Sequence, residues 1–243
     1  KWFYQTFLII YCSIIMKEKI VIDIVSDVAC PWCYVGKKHL EAAMQTSTDF
    51  DFEVHWHPFM LDPNIPAEGR AFDAHFSKKF GSMEQFQKIS ERVIQAGENA
   101  GINFRFDQIP MVPNTLALHK ILHIASVEGI ANAVKGRFLN AYFENPIDLT
   151  NDQNTCEIMS EFGWSSHKTL VILNDAEITQ KVLTEIENYK QMGVNAVPFF
   201  IINHTYGMSG AQPVAYFKEA FKEISMKMLE NSDASCDIDD PNC

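Results

Sequence analysis

Positive charge is in short supply in this sequence, with 20 Lys and Arg against 31 Asp and Glu in 243 residues, a formal net charge of −11. Nucleic-acid binding draws its affinity from neutralised phosphates and released counterions, and the chain has no overall excess of cations to supply it. The same charge disfavours stable association with an anionic membrane surface. Cysteine is scarce too: six residues, at 12, 30, 33, 156, 236 and 243, are too few for a disulfide scaffold in a chain of this length. A hydrophobic core must hold the fold, and a hydrophobic content of 47% is enough to build one and to exclude disorder as the main state. No internal repeat or low-complexity tract is present.

Residues 1–16 form an apolar segment of their own. The run from Trp2 to Ile15 is shorter than the roughly 20 residues a membrane span needs, and it has no small-x-small cleavage site near its end. Tyr11 is bulky where a lipoprotein signal would place a small residue before Cys12. The reading adopted is that Met16 starts the protein, which makes it cytoplasmic. The alternative is a signal or anchor, and a secreted or periplasmic protein.

From Ile20 to Val25 the sequence is almost continuously apolar, the pattern of a strand buried on both faces. Cys30-Pro31-Trp32-Cys33 follows, and Cys33, Leu40, Ala43 and Met44 then recur at helical spacing. Proline suits the first turn of a helix, where a missing N–H costs nothing, so the spacing predicts strand, tight loop and a helix that opens at the cysteines. Phe50, Phe52, Val54 and Trp56 alternate with polar residues as a second strand. Residues 66–183 carry helical periodicity and read as an all-helical insert, with Thr150-x-x-Gln153 in capping-box form. Strand character returns at Val197–Ile202 and near Gly207, and a last helix carries Val214, Phe217, Phe221 and Ile224 on one face. The predicted organisation is α/β: one discontinuous unit of residues 17–65 and 184–229, the insert at 66–183, and an acidic tail at 230–243.

A helix that starts at a C-x-x-C turns its unsatisfied N–H groups and positive dipole end toward the first sulfur. That favours the thiolate, which is the form that attacks disulfides. Cys30 is accordingly read as the nucleophile and Cys33, one turn inward, as the resolving thiol. The alternatives are a static buried pair, or zinc. Zinc would need a second close pair, and Cys236-x6-Cys243 is too widely spaced. His119-Lys120-Ile121-Leu122-His123 has metal spacing but lysine where a metalloprotease helix carries its glutamate. Both histidines are read as helix-face residues, and no metal is expected. Cys236 and Cys243 are auxiliary redox candidates that would exchange with the Cys30–Cys33 pair, and inert exposed thiols are the equal alternative.

The segments Ser26–Gly36 and Gly193–Phe200 resemble the DsbA-like thioredoxin-fold oxidoreductases, specifically the FrnE branch. Ser209-Gly210-Ala211-Gln212, Asn114-Thr115 with His119, and Ala141-Tyr142-Phe143 are similar to the same branch. The resemblance covers about residues 19–228 and implies a thioredoxin-like fold with a large helical insertion. It also implies thiol–disulfide oxidoreductase or isomerase activity on protein disulfides, and Pro198 as a cis-proline facing the cysteines. Pro31, Trp32, Val197 and Pro198 then form the substrate edge, with the Val197 backbone left to pair with an extended client. Read from the residues alone, Pro198 is equally a strand-edge proline. No cofactor beyond the redox-active cysteines is implied; glutathione is a candidate electron partner, and a homodimer is a candidate assembly. One departure stands out: six residues before Cys30, where related proteins often carry a buried acid, this chain has Ile24. Asp23 and Asp27 lie beside that position without occupying it, which leaves the proton acceptor for Cys33 unassigned.

Two other functions compete. Kappa-class glutathione transferases and 2-hydroxychromene-2-carboxylate isomerases share the implied fold but place a serine where Cys30 stands. A chaperone-like binder would use the insert and the Val197 edge without redox chemistry.

Overall fold

The computed structural model describes residues 17–233, so the apolar segment 1–16, Cys12, Cys236 and Cys243 lie outside the described residues. The first strand, β1 (Glu18–Ser26), leads through a turn into α1 (Pro31–Gln45) and back to β2 (Phe50–Pro58), which pairs parallel with β1. Far along the chain come β5 (Phe199–Ile202), antiparallel to β1, and β6 (Tyr206–Ser209), antiparallel to β5, giving a four-stranded sheet of order β2-β1-β5-β6. β1 is central, and Ile20, Ile22 and Ile24 are fully buried. This accounts for its unbroken apolar run, where β2, at the sheet edge, alternates. The closing helix, α9 (Val214–Asp233), packs against α1.

Between β2 and β5 lies the insert: α2 (Phe72–Phe80), α3 (Met83–Asn99), α4 (Leu116–Val127), α5 (Ala131–Phe143), α6 (Asp152–Ser160), α7 (Ser166–Asn174) and α8 (Ala176–Gln191). Helices α4, α5 and α8 pack on β2, while α3 and α5 reach α1. No helix among the described residues is long and apolar enough to cross a membrane.

Four details correct the expectations. The insert is not purely helical: Arg70–Ala71 (β3) and Met111–Val112 (β4) form a two-residue antiparallel pair that ties the start of α2 to the chain before α4. The cap of α6 is Asn151, whose side chain accepts from the Gln153 N–H at 2.9 Å, because the Thr150 hydroxyl is engaged by Asp148 at 2.7 Å. The expected boundary between residues 183 and 184 falls inside α8, which Asp175 caps through the N–H groups of Glu177 and Ile178. The last helix continues to Asp233, past the expected start of the tail at 230.

Candidate active site at the start of helix α1

β1 delivers the chain to a turn, Asp27-Val28-Ala29, and Cys30 then caps α1 with an extended backbone (φ −100°, ψ 110°) while Pro31 takes the first helical position. The Cys30 Sγ accepts the Cys33 N–H at 3.3 Å, one of the donors a helix start leaves unsatisfied, and lies 3.7 Å from the Val197 carbonyl. Cys30 and Cys33 are 3% and 1% exposed, whereas Trp32 between them is 39% exposed and marks the open side. The Val197–Pro198 peptide bond is cis. The Pro198 ring lies against α1 at Gly36, where an added Cβ would sit 3.0 Å from Pro198 Cγ and 3.2 Å from Phe200 Cζ. A glycine at this point is what lets the two segments approach. The structure thus brings Cys30, Cys33, Pro31, Trp32, Val197 and Pro198 into one place.

On the other side of Trp32, a cleft of about 220 Å³ runs between Pro31 and the insert, lined by Leu61, Phe72, Phe76, Phe86 and Tyr142 among others. Its walls are mostly apolar, with His75, Lys79 and Asp62 as polar members.

Beneath the cysteines lies a set of polar groups, of which the sequence pointed to Asp27 and His119 singly and missed Lys135. Asp27 is 1% exposed. Its Oδ2 accepts the Leu61 N–H at 2.8 Å, and its Oδ1 lies 3.4 Å from His119 Nε2, which also lies 2.8 Å from the Phe59 carbonyl. His119 is therefore not the helix-face residue expected; it is buried because its ring bridges α4 to the turn before Cys30. Burial works against a charge on Asp27, but His119, the Leu61 N–H and Lys135 together hold its carboxyl below the usual carboxylate range. Lys135, from the middle of α5, is itself 1% exposed, and its Nζ lies 5.5 Å above the Trp56 ring. Burial lowers its pKa to about 8, against the pull of Cys33, Asp27 and Cys30.

The two thiols titrate as one unit. Burial opposes any charge there, yet the hydrogen bond from Cys30, the field of Lys135 and the Ser26 hydroxyl favour a single thiolate and hold Cys33 below the usual thiol range. The hydrogen bond to Cys33, then burial and the charge already present, push Cys30 well above it. The pair is built to carry one negative charge and to resist a second.

A second cleft, of about 210 Å³ and sharing no lining residue with the first, opens beside Lys135 and is walled by His57, His119, His123 and Glu185. From its His123, Glu185 and His57 a chain of alternating histidines and acids leads on to Asp23 and His204. His57 bonds Glu185 at 2.6 Å and Asp23 at 2.8 Å, Glu185 reaches His123 at 3.9 Å, and Asp23 reaches His204 at 3.0 Å. His57 is raised to about 9, since the two carboxylates outweigh its burial.

The chain is similar to the uncharacterized protein YwbO of Bacillus subtilis (strain 168), with 25% identity over 209 residues that make up 85% of this chain and 98% of that one. Among solved structures, the probable DsbA oxidoreductase SCO1869 from Streptomyces coelicolor superposes with a TM-score of 0.77 at 29% identity, covering 84% of this chain and 89% of that one. A 2-hydroxychromene-2-carboxylate isomerase superposes with a TM-score of 0.64 at 15% identity, covering 88% of this chain and 99% of that one. That last likeness is one of fold alone. The model of the DSBA-like thioredoxin domain matches residues 21–222, taking in both cysteines, the whole insert and the Val197–Pro198 bond, and the chain belongs to that family.

Proposed function

We propose that this chain is a thiol–disulfide oxidoreductase of the FrnE branch that acts on protein disulfides, with Cys30 as nucleophile and Cys33 as resolving thiol. The observation that carries the reading is the Cys30 cap itself: a sulfur at a helix start, 3.3 Å from a backbone donor, beside exposed Trp32 and the Val197 carbonyl. Cys33 lies one turn further in. The branch assignment rests on the residues that carry the resemblance: His119 contacts Asp27, Tyr142 lines the apolar cleft, and Asn114 donates to the Ile65 carbonyl at 2.7 Å.

In the reducing direction, Cys30 Sγ attacks one sulfur of a client disulfide. A Cys30–client S–S bond forms, the client bond breaks, and the displaced client thiolate takes a proton from water. Cys33 then attacks Cys30 Sγ, closing the Cys30–Cys33 bond and releasing the second client sulfur, so that two electrons have passed to the client. Two molecules of a low-mass thiol such as glutathione reopen the pair, and the reverse sequence oxidises a client dithiol. An extended client lies along the Val197 backbone, so recognition depends little on client sequence. The fold alone does not separate this chemistry from that of the isomerases; the sulfur at residue 30 supports the redox reading.

The test is trapping. Cys33→Ser accumulates mixed disulfides with client proteins because the intermediate no longer collapses, whereas Cys30→Ser accumulates none, and insulin reduction with dithiothreitol requires Cys30. Absence of adducts with Cys33→Ser refutes the assignment of roles. Glutathione conjugation that persists in Cys30→Ser indicates a transferase, and client holding that survives loss of both cysteines indicates a chaperone-like binder.

A further inference from the structure

Three buried lysines lie near the sheet, and one differs from the others. Lys37 pairs with Glu41, and Lys120 donates to the Leu173 carbonyl at 2.6 Å. Lys135 makes no hydrogen bond or ion pair with any described residue, although it is the most buried of the three. Apart from the Trp56 ring, 5.5 Å from its Nζ, and the cleft that it lines, the ammonium group has little to offset its burial, which disfavours the charge, so its charged surroundings must compensate or it must shed its proton. The charges that act on it are those of Cys33, Cys30 and like-charged Lys37 from α1, and of Asp27 from the turn. Asp27 is already served by His119 and the Leu61 N–H, which leaves the cysteine pair as the charge without another cation. α5 is brought this close to α1 at Gly136, where an added Cβ would lie 3.3 Å from Lys37 Cε. Lys135 also lines the second cleft, across which stand His119 from α4, His57 from β2 and Glu185 from α8.

Resting on the oxidoreductase reading above, we propose that Lys135 is the counter-charge and proton partner of the Cys30–Cys33 pair, exchanging its proton with solvent through the histidine-lined cleft rather than through the client face. When Cys33 resolves a mixed disulfide, its thiol proton passes to the neutral Lys135 amine. The Cys30–Cys33 bond forms, the client thiolate leaves, and the new ammonium releases its proton to water in the cleft. In the reverse direction the ammonium returns that proton as the thiols re-form. A pKa lowered to about 8 by burial suits both steps. The insert thereby supplies, as a base, what the apolar Ile24 does not supply as an acid.

The test compares Lys135→Met with Lys135→Arg by following alkylation of Cys30 and Cys33, mapped by mass spectrometry, as a function of pH. Lys135→Met lowers reactivity at neutral pH about tenfold or more, equivalent to a one-unit rise in the pair's first ionisation. Lys135→Arg keeps the thiolate, because guanidinium holds its charge. It closes its disulfide with oxidised glutathione more slowly, because guanidinium does not surrender a proton. A Met profile that overlays the parent's, or an Arg variant as unreactive as the Met variant, overturns the counter-charge; an Arg variant that closes at the parent's rate overturns the proton step. Should Lys135→Met fail to fold by circular dichroism, Lys135→Arg decides alone. Alkylation reads the charge whether or not any client is turned over, so a parent inactive on insulin with the expected Lys135 dependence counts against the function and not against this role.

Discussion

Replacing His57 by glutamine removes the one cation between Asp23 and Glu185, and the structure sets the size and pH range of the effect. An unfolded histidine loses its proton near pH 6.5, whereas in the fold His57 keeps it to about 9. Between those values the folded chain holds one proton more than the unfolded chain, so stability falls as pH rises. The slope approaches 1.4 kcal/mol per pH unit, or about 3 kcal/mol over the window. The raised pKa fixes the sign: the contribution is fully present below about pH 6.5 and gone above about 9. His57 is mostly buried, with 18% of its side chain exposed, so solvent screening trims this figure without removing it. Urea unfolding of parent and His57→Gln at a series of pH values measures it directly. The parent is more stable at low pH by up to about 3 kcal/mol, and the two curves converge toward pH 9. Parallel curves would refute the reasoning, since a difference independent of pH means that His57 carries no extra proton in the fold.

Two further outcomes follow from the geometry around the cysteines. Asp27→Ala strips the Leu61 N–H and the His119 ring of a buried acceptor and should cost about 3 kcal/mol in urea unfolding; a loss below about 1 kcal/mol would mean that the turn before Cys30 is held by other contacts. Gly36→Ala gains about 1 kcal/mol of helix propensity but forces a methyl group against the Pro198 and Phe200 rings. Overpacking of this kind costs about 1–3 kcal/mol, so the variant should be modestly less stable and slower to form mixed disulfides, and parental values for both would show that this contact yields freely.

The elements that present the cysteines were legible because each follows from local pattern. The apolar run of β1 needs burial on two faces, and Pro31 after Cys30 needs a helix start. The polar floor of the site was not legible for the opposite reason: its members lie far apart in sequence, and nothing local to Asp27, His119 or Lys135 shows that they meet. A signal did exist for Lys135. It shares helical spacing with Ala131, Phe138 and Tyr142, all buried in α5, so it belongs to the apolar stripe rather than the solvent face. His119, among buried Leu118, Leu122 and Ile121 in α4, is the same case. A charged residue on a buried stripe must be neutralised. What the spacing lacked was the partner, since the turn at Asp27 meets α4 only through the long connection that the insert makes.

The apolar residue at position 24 bears on why the proposed counter-charge comes from the insert. Ile24 lies in register with Trp56 on one side and Phe200 on the other, and it is 1% exposed. A carboxylate there would sit between two aromatic residues in the core, a costly place for a charge. The sheet keeps its core apolar instead. Lys135 lies instead over the Trp56 ring, on the face that α5 covers. Such an arrangement makes the charge on the cysteine pair depend on how α5 sits against α1 and β2. Loosening that contact, for example by filling the space at Gly136, should therefore lower thiolate reactivity at neutral pH before it lowers the stability of the sheet, and the reverse order would show that α5 packs without governing the sulfurs.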